Sequence, residues 1–196
     1  MEKYKNRIEV YHLSKREFDH GRTRNAGVRK SDADFFVCMT QDALPQDEFL
    51  IEKLLEPLVN DRQIAAAYAR QLPGKDSSVL ETFARRYNYP EKSIVKTYDD
   101  LDKMGIKTFF FSNVCAAYRR EIFDSLGGFV NKAIFNEDML YSAKALKAGY
   151  SIAYVAEAVV IHSHNYNCRQ QFKRNFDIGV SQAMHPEVFA KVSSEA

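Results

Sequence analysis

The chain has 196 residues, 45% of them hydrophobic and 13% aromatic, enough for one domain with a real core and too few to expect two. Its 28 basic and 26 acidic residues leave a net charge of +2, too small an excess for bulk nucleic-acid binding, so any electrostatic function is local and no nucleic-acid partner is expected. No apolar stretch approaches the roughly 18 residues of a membrane span, and MEKYKNRIEV is too charged for a signal peptide, so the expected compartment is the cytoplasm.

In chain order, short apolar runs alternate with amphipathic segments, the pattern of an α/β domain. Arg7 to Leu13 reads as a first strand, Thr23 to Lys30 as a short helix, and Asp34 to Thr40 as a strand buried on both faces. DEFLIEKLLEPLVN, from Asp47, puts Phe49, Leu50, Leu54 and Leu58 on one helical side, with Pro57 expected to kink or shorten the last turn. Ile64 to Ala69 is a further strand, and Gly74 to Lys107 reads only as irregular chain plus helix. Strand character resumes from Phe109 to Tyr118, and RREIFDSLGGF gives a helix closed by Gly127-Gly128. Asn136 is placed to cap a helix with Met139, Leu140, Ala143 and Leu146 on its apolar face, ended by Gly149. Ile152 to His164 is strand-like and Arg169 to Val180 helical. Cys38, Cys115 and Cys168 are far apart and odd in number, which favours thiols over disulfides or zinc.

Four constellations bear on chemistry. Asp42 follows the apolar run Phe35 to Met39, and ligands of open α/β sheets bind at the carboxyl ends of strands. It either holds a divalent cation there or serves the following turn or helix cap. In HGRTRNAG, His20 to Gly27, two glycines permit close backbone approach while Arg22, Arg24 and Asn25 offer donors to phosphate or sugar; a solvated basic turn is the alternative. Glu137 and Asp138 at a helix start are stabilised by the helix dipole, and one of them is also a candidate general base. His162 and His164 share a face if they lie on a strand, which suits metal or phosphate binding as well as a structural hydrogen-bonding role. No serine elbow, Walker loop or dinucleotide fingerprint is present in the sequence.

Taken in order, FDHGRTRNAG, FFVCMTQDALP, AAYARQLP, FFSNVCAAYRREIF, FNEDMLYSAKALKAGY and VVIHSHNYNCRQQFKRNFDIGV resemble family-2 glycosyltransferases of the GT-A fold, nearest their bacterial rhamnosyltransferase-like branch. The resemblance implies a GT-A-type, Rossmann-like α/β domain over 1–196 with a mixed, mostly parallel sheet flanked by helices. It implies inverting transfer of a sugar, rhamnose or another deoxyhexose, from a nucleotide-sugar such as dTDP-rhamnose to a saccharide or lipid-linked acceptor in surface-polysaccharide assembly. Asp138 would then be the base, with Glu137 beside it. His20, Gly21, Arg24, Asn25, Gln41 and Asp42 would face the donor; Arg70, Gln71 and Asn113 would line the sugar and acceptor pocket. Asp42, His162 and His164 would hold Mg2+ or Mn2+, with Gln41 replacing the first acid of the family's Asp-x-Asp motif. Family members open with a VVIPTYN-like strand and a second strand ending in an acid, and this sequence starts beyond both. The expectation is therefore an N-terminally truncated domain, with a non-catalytic remnant or binding module as the alternative to an enzyme. The basic residues Arg169, Lys173 and Arg174 fit either a solvated helix face or peripheral contact with the inner face of an anionic membrane.

Overall fold

The computed structural model describes residues 7–190. Helix α1 (His20–Val28) is followed by strands β1 (Phe35–Met39) and β2 (Leu44–Pro45), helix α2 (Leu50–Asn60), strand β3 (Ile64–Leu72), helix α3 (Val79–Asn88) and strand β4 (Ile94–Lys96). Then come a short helix α4 (Leu101–Met104), strand β5 (Cys115–Arg119), helices α5 (Arg120–Ser125) and α6 (Glu137–Lys147), strand β6 (Ser151–Ile161), and helices α7 (Cys168–Ala183) and α8 (Pro186–Phe189). The strands form one sheet in the order β1-β5-β3-β6-β2, with β4 also pairing to β6. Only β3 and β6 pair in parallel among the described residues; the other pairings are antiparallel. The sheet is mixed, as expected, but its pairings are mostly antiparallel rather than mostly parallel. The short strands β2 and β4 carry too few residues to show a pattern in sequence, and β5 runs against both its neighbours. Since β1 and β3 are each antiparallel to β5, β1, β3 and β6 still point the same way, and their carboxyl ends share one edge.

Strand alternation divides the core. Ala66 and Tyr68 of β3 and Ala116 and Tyr118 of β5 join Phe111, Phe123, Phe129, Tyr141 and Leu146 in an aromatic layer on one face. Ala67 and Ala69 with Cys115 and Ala117 face the other way, onto Leu50, Leu54 and Leu58 of α2. Pro57 lies inside α2, which nonetheless runs on to Asn60. Tyr118 sits at the aromatic centre, packed against Phe36, Phe111, Phe129 and Tyr141. Burying rings of this size contributes roughly 1.5–3 kcal/mol each. At the end of α5 both Gly127 and Gly128 have positive φ, 75° and 70°, and Gly128 donates back to the Phe123 carbonyl, which closes the helix as the sequence predicts.

Several expected elements differ, β1 among them, which is half-buried rather than buried on both faces. Arg7 to Leu13 is not a strand: Ile8, Val10, Tyr11 and Leu13 are exposed, and without a partner ladder its alternation has nothing to pair with. Strand character after Phe109 begins only at Cys115, because Phe109 and Phe111 turn into the aromatic layer and leave Ser112 and Asn113 as irregular backbone. The strand β6 ends at Ile161, so both histidines lie on the loop beyond it.

Candidate active site

A cleft of about 570 Å3 opens where β1, β3 and β6 end and β5 begins, and its lining includes Arg24, Asp42, Asn113, Asp138, His162 and His164. At one end stands the start of α6. Asn136 occupies the cap position in the left-handed region, φ 66°, and its side chain makes no capping bond, contrary to the sequence reading. The first-turn carboxylates are held largely by residues outside the helix instead. Glu137 accepts from Arg24 Nη1 at 2.7 Å and from Asn113 Nδ2 at 3.2 Å. Asp138 accepts from the backbone N–H of Asn113 at 3.0 Å and of Met139 at 2.8 Å. Asn113 is oriented in turn by the Tyr118 hydroxyl, which donates to its Oδ1, so the aromatic core fixes the acidic pair. Burial, and then the neighbouring Glu137 charge, raise Asp138 from the ordinary carboxylate range to about 7, against the opposing pull of its two backbone N–H bonds. That suits a group that must gain a proton near neutral pH.

At the other end, Asp42 projects from the turn after β1. His162 Nε2 lies 3.6 Å from its Oδ1 and His164 Nε2 3.6 Å from its Oδ2. One ligand atom from each of the three residues falls within 4.8 Å of the others. Ligands about 2.0–2.2 Å from a shared cation stand apart by such distances. Burial, then the Arg85 charge, push His162 down to about 4, so its ring is neutral and keeps a lone pair to donate. The buried Thr40 hydroxyl lies beside this corner and, against the effect of burial, helps hold the Asp42 carboxyl below its ordinary value. The donor set, a carboxylate with two imidazoles, fits a divalent cation.

The cleft thus gathers His20, Arg24, Asp42, Gln71, Asn113, Glu137, Asp138, His162 and His164, and leaves out Gly21, Asn25, Gln41 and Arg70. Each omission has a physical reason. The Asn25 amide is used on the backbone of Phe129, donating to its carbonyl at 2.9 Å and accepting from its N–H at 3.0 Å. Gly21 packs so close to this segment that a Cβ would stand 1.9 Å from the Val130 carbonyl oxygen. Both therefore dock α1, which carries Arg24 to Glu137. Gln41 is exposed and does not line the cleft, and Arg70 pairs with Glu91 at 3.2 Å. Gln71 reaches the cleft but is only 1% exposed, and its amide is fully engaged by protein, so it has nothing left to offer a sugar.

The sequence reading missed Glu81 and Arg85 of α3. They form an i,i+4 ion pair at 2.7 Å on the cleft wall, and Glu81 also accepts from the His164 backbone at 3.3 Å. The four-residue spacing was the available signal. Tyr89 and Ser112, which flank Gln71, carried none.

The model of the family described as "Glycosyl transferase family 2" matches residues 1–127, well over half of the chain. The chain belongs to this family. Relatives similar to this family-2 chain are the O-antigen chain rhamnosyltransferases RfbN of Salmonella typhimurium and WbaN of Salmonella anatum. RfbN is 48% identical over 180 residues, covering 91% of this chain and 57% of RfbN. WbaN is 46% identical over 184 residues, covering 93% of this chain and 58% of WbaN. The chain therefore spans somewhat more than half the length of these curated relatives. Among solved structures, the S. aureus TarS 1-349 structure has a TM-score of 0.62 at 13% identity, covering 99% of this family-2 chain and 52% of TarS 1-349. Mannosyltransferase PcManGT from Pyrobaculum calidifontis, in complex with GDP-Man and Mn2+, has a TM-score of 0.59 at 15% identity, covering 86% and 44%. At these identities the likeness concerns the fold, and that fold is GT-A. Among the described residues no helix is long and apolar enough to cross a membrane.

Proposed function

We propose that this family-2 chain carries the catalytic cleft of an inverting glycosyltransferase. It would move a sugar, rhamnose or another deoxyhexose, from a nucleotide-sugar such as dTDP-rhamnose to a hydroxyl of a saccharide or lipid-linked saccharide during surface-polysaccharide assembly. The observation that carries this reading is the pairing, in one cleft, of the Asp42–His162–His164 cluster with a carboxylate of raised proton affinity at Asp138. The printed names of RfbN and WbaN support rhamnose and O-antigen as the sugar and product class.

Asp138 is the proposed base. It takes the proton of the acceptor hydroxyl as that oxygen bonds to the anomeric carbon. In the same displacement the bond from that carbon to the diphosphate oxygen breaks, and the nucleoside diphosphate leaves with the electron pair. Attack from the face opposite the leaving group inverts the anomeric centre. Asn113 holds Asp138 in place through its backbone N–H, and Arg24 keeps the Glu137 charge paired beside it. Asp42, His162 and His164 would hold Mg2+ or Mn2+, whose charge would offset that of the departing diphosphate. Calorimetric titration of dTDP-rhamnose and other nucleotide-sugars with Mg2+ or Mn2+ tests the donor reading. Saturable, metal-dependent heat from a donor is expected, and silence with every donor would sink it. Donor binding without transfer to any saccharide would instead favour the binding-module alternative.

The same reading locates the chain in the cytoplasm, at the inner face of the membrane. Its support is that the helices flanking the cleft, α3 and α7, expose Val79, Leu80, Phe83, Phe172 and Phe176, while Arg169 and Lys173 add positive charge on α7. Co-sedimentation with phosphatidylglycerol vesicles but not phosphatidylcholine vesicles is expected; sedimentation with neither removes the membrane from the reading.

A further inference from the structure

Gln71, the buried amide withdrawn from the sugar pocket above, sits behind His162 and is oriented by groups whose polarity is unambiguous. Arg85 Nη1 donates to Gln71 Oε1, and a guanidinium has no acceptor, so the amide atom facing it is oxygen. The opposite amide nitrogen then donates to the Ser112 hydroxyl at 2.9 Å and to the Tyr89 hydroxyl. His162 Nδ1 lies 3.1 Å from the same Gln71 oxygen. A carbonyl oxygen only accepts, so the ring proton resides on Nδ1. The Nε2 lone pair is left facing Asp42 Oδ1 across 3.6 Å. Two electron-rich atoms in that relation repel each other unless a positive centre joins them. From this we infer that Gln71, locked by Arg85, is a positioning residue that fixes His162 as its Nδ1–H tautomer and so turns Nε2 toward Asp42, ready to ligate a divalent cation.

The inference rests on the metal reading proposed above, but its first half stands without any metal. Gln71 reaches this place through an irregularity in the fold. The β3–β6 pairing slips between Ala69 and Arg70, a break of the kind that re-aims side chains beside sites, and Arg70 goes outward to Glu91 while Gln71 meets Tyr89.

The test uses the 196-residue chain labelled with 15N-histidine, with long-range 1H–15N correlation spectra reading the His162 tautomer without metal. Mn2+ uptake is then followed by the loss of the free-ion electron spin resonance signal. Wild type is expected to show the Nδ1–H form. Gln71→Leu removes the acceptor, and Arg85→Met frees the amide to flip and present its NH2 to Nδ1; either is expected to shift the ring toward Nε2–H. Mn2+ affinity should fall about 10- to 100-fold in both, the usual cost of losing the partner that orients a ligand. Gln71→Glu, which keeps an acceptor for Arg85 and His162, should restore tautomer and affinity. The second variant keeps the test decisive if Gln71→Leu fails to fold. An Nε2–H ring in wild type, or an unchanged ring and Mn2+ affinity in both variants, overturns the positioning role. An Nδ1–H ring in a wild-type chain that takes up no Mn2+ overturns the metal reading instead.

Discussion

The cleft holds two aspartates in opposite environments. Asp138, in the first turn of α6, is buried beside Asn113 and Glu137, while the Asp42 side chain stands 47% exposed between two imidazoles. Enclosure and a like charge raise the proton affinity of Asp138; at Asp42 burial pushes the same way, but the Thr40 hydroxyl, its own backbone N–H and the two imidazoles outweigh it and hold the carboxyl below its ordinary value. Under the proposed mechanism the same side-chain chemistry would serve as a base at one end and a ligand at the other, with environment making the difference. The supports differ as well. Asp138 is held by backbone N–H groups, whereas the Asp42 corner depends on side chains, Gln71 and Arg85, behind one of its imidazoles.

Breaking the base end carries the largest expected effect. Asp138→Asn keeps the size of the side chain but not the proton acceptor, and should cut sugar transfer by ~10²-fold or more, the range of a lost general base. Turnover within about threefold of wild type would assign the base elsewhere. At the ligand end, Asp42→Asn should weaken Mn2+ binding by about 10-fold or more, since a neutral amide replaces the anionic ligand. Calorimetry checks it, and an unchanged affinity would place the cation outside this cluster. The contrast is sharpest if each variant spares the other property: Asp138→Asn should still bind Mn2+, and Asp42→Asn should leave the Asp138 titration near neutral pH.

Both aspartates were legible in the sequence because each ends a recognisable local pattern, an apolar run for Asp42 and a helix start for Asp138. Strand ends and helix starts are set by near neighbours, so short stretches report them. The supports were not legible. Asn25 looked like a phosphate donor because its use on Phe129 joins residues 104 apart in sequence. Gln71 looked like a sugar ligand because the register slip that aims it is a property of β6 pairing, not of β3. Arg7 to Leu13 looked like a strand because alternation is local while pairing is not. Helix α3 was missed as a site wall because its apolar side chains are exposed and its polar ones face the cleft, the reverse of the usual pattern.

The docking of α1 gives an intermediate effect. Gly21→Ala forces a methyl group toward the Val130 carbonyl, and backbone cannot swing aside as a side chain would. A stability loss of about 1–3 kcal/mol is expected from such overpacking, read as a lower urea midpoint. Because α1 carries Arg24, the variant should also disturb Glu137 and the base end more than Mn2+ binding at the far end. Equal damage to both ends would mean that the two corners are not independently supported.

The smallest effect is the most specific to the enclosed carboxylate. Asp138 binds its proton more tightly folded, with a value of about 7, than in an unfolded chain, where about 3.9 applies. Between these values the folded state holds a proton that the unfolded state has released, so stability falls as pH rises through this window and levels off above it. Other titrating groups contribute too, but they largely cancel in the difference between wild type and Asp138→Asn. On going from pH 6 to pH 8, wild type should therefore lose stability relative to the variant, by on the order of 1 kcal/mol. Urea midpoints at the two pH values read it directly. A relative gain by wild type would mean that the two backbone N–H bonds outweigh burial at Asp138, which would make it an ordinary ionised carboxylate and erase the contrast with Asp42.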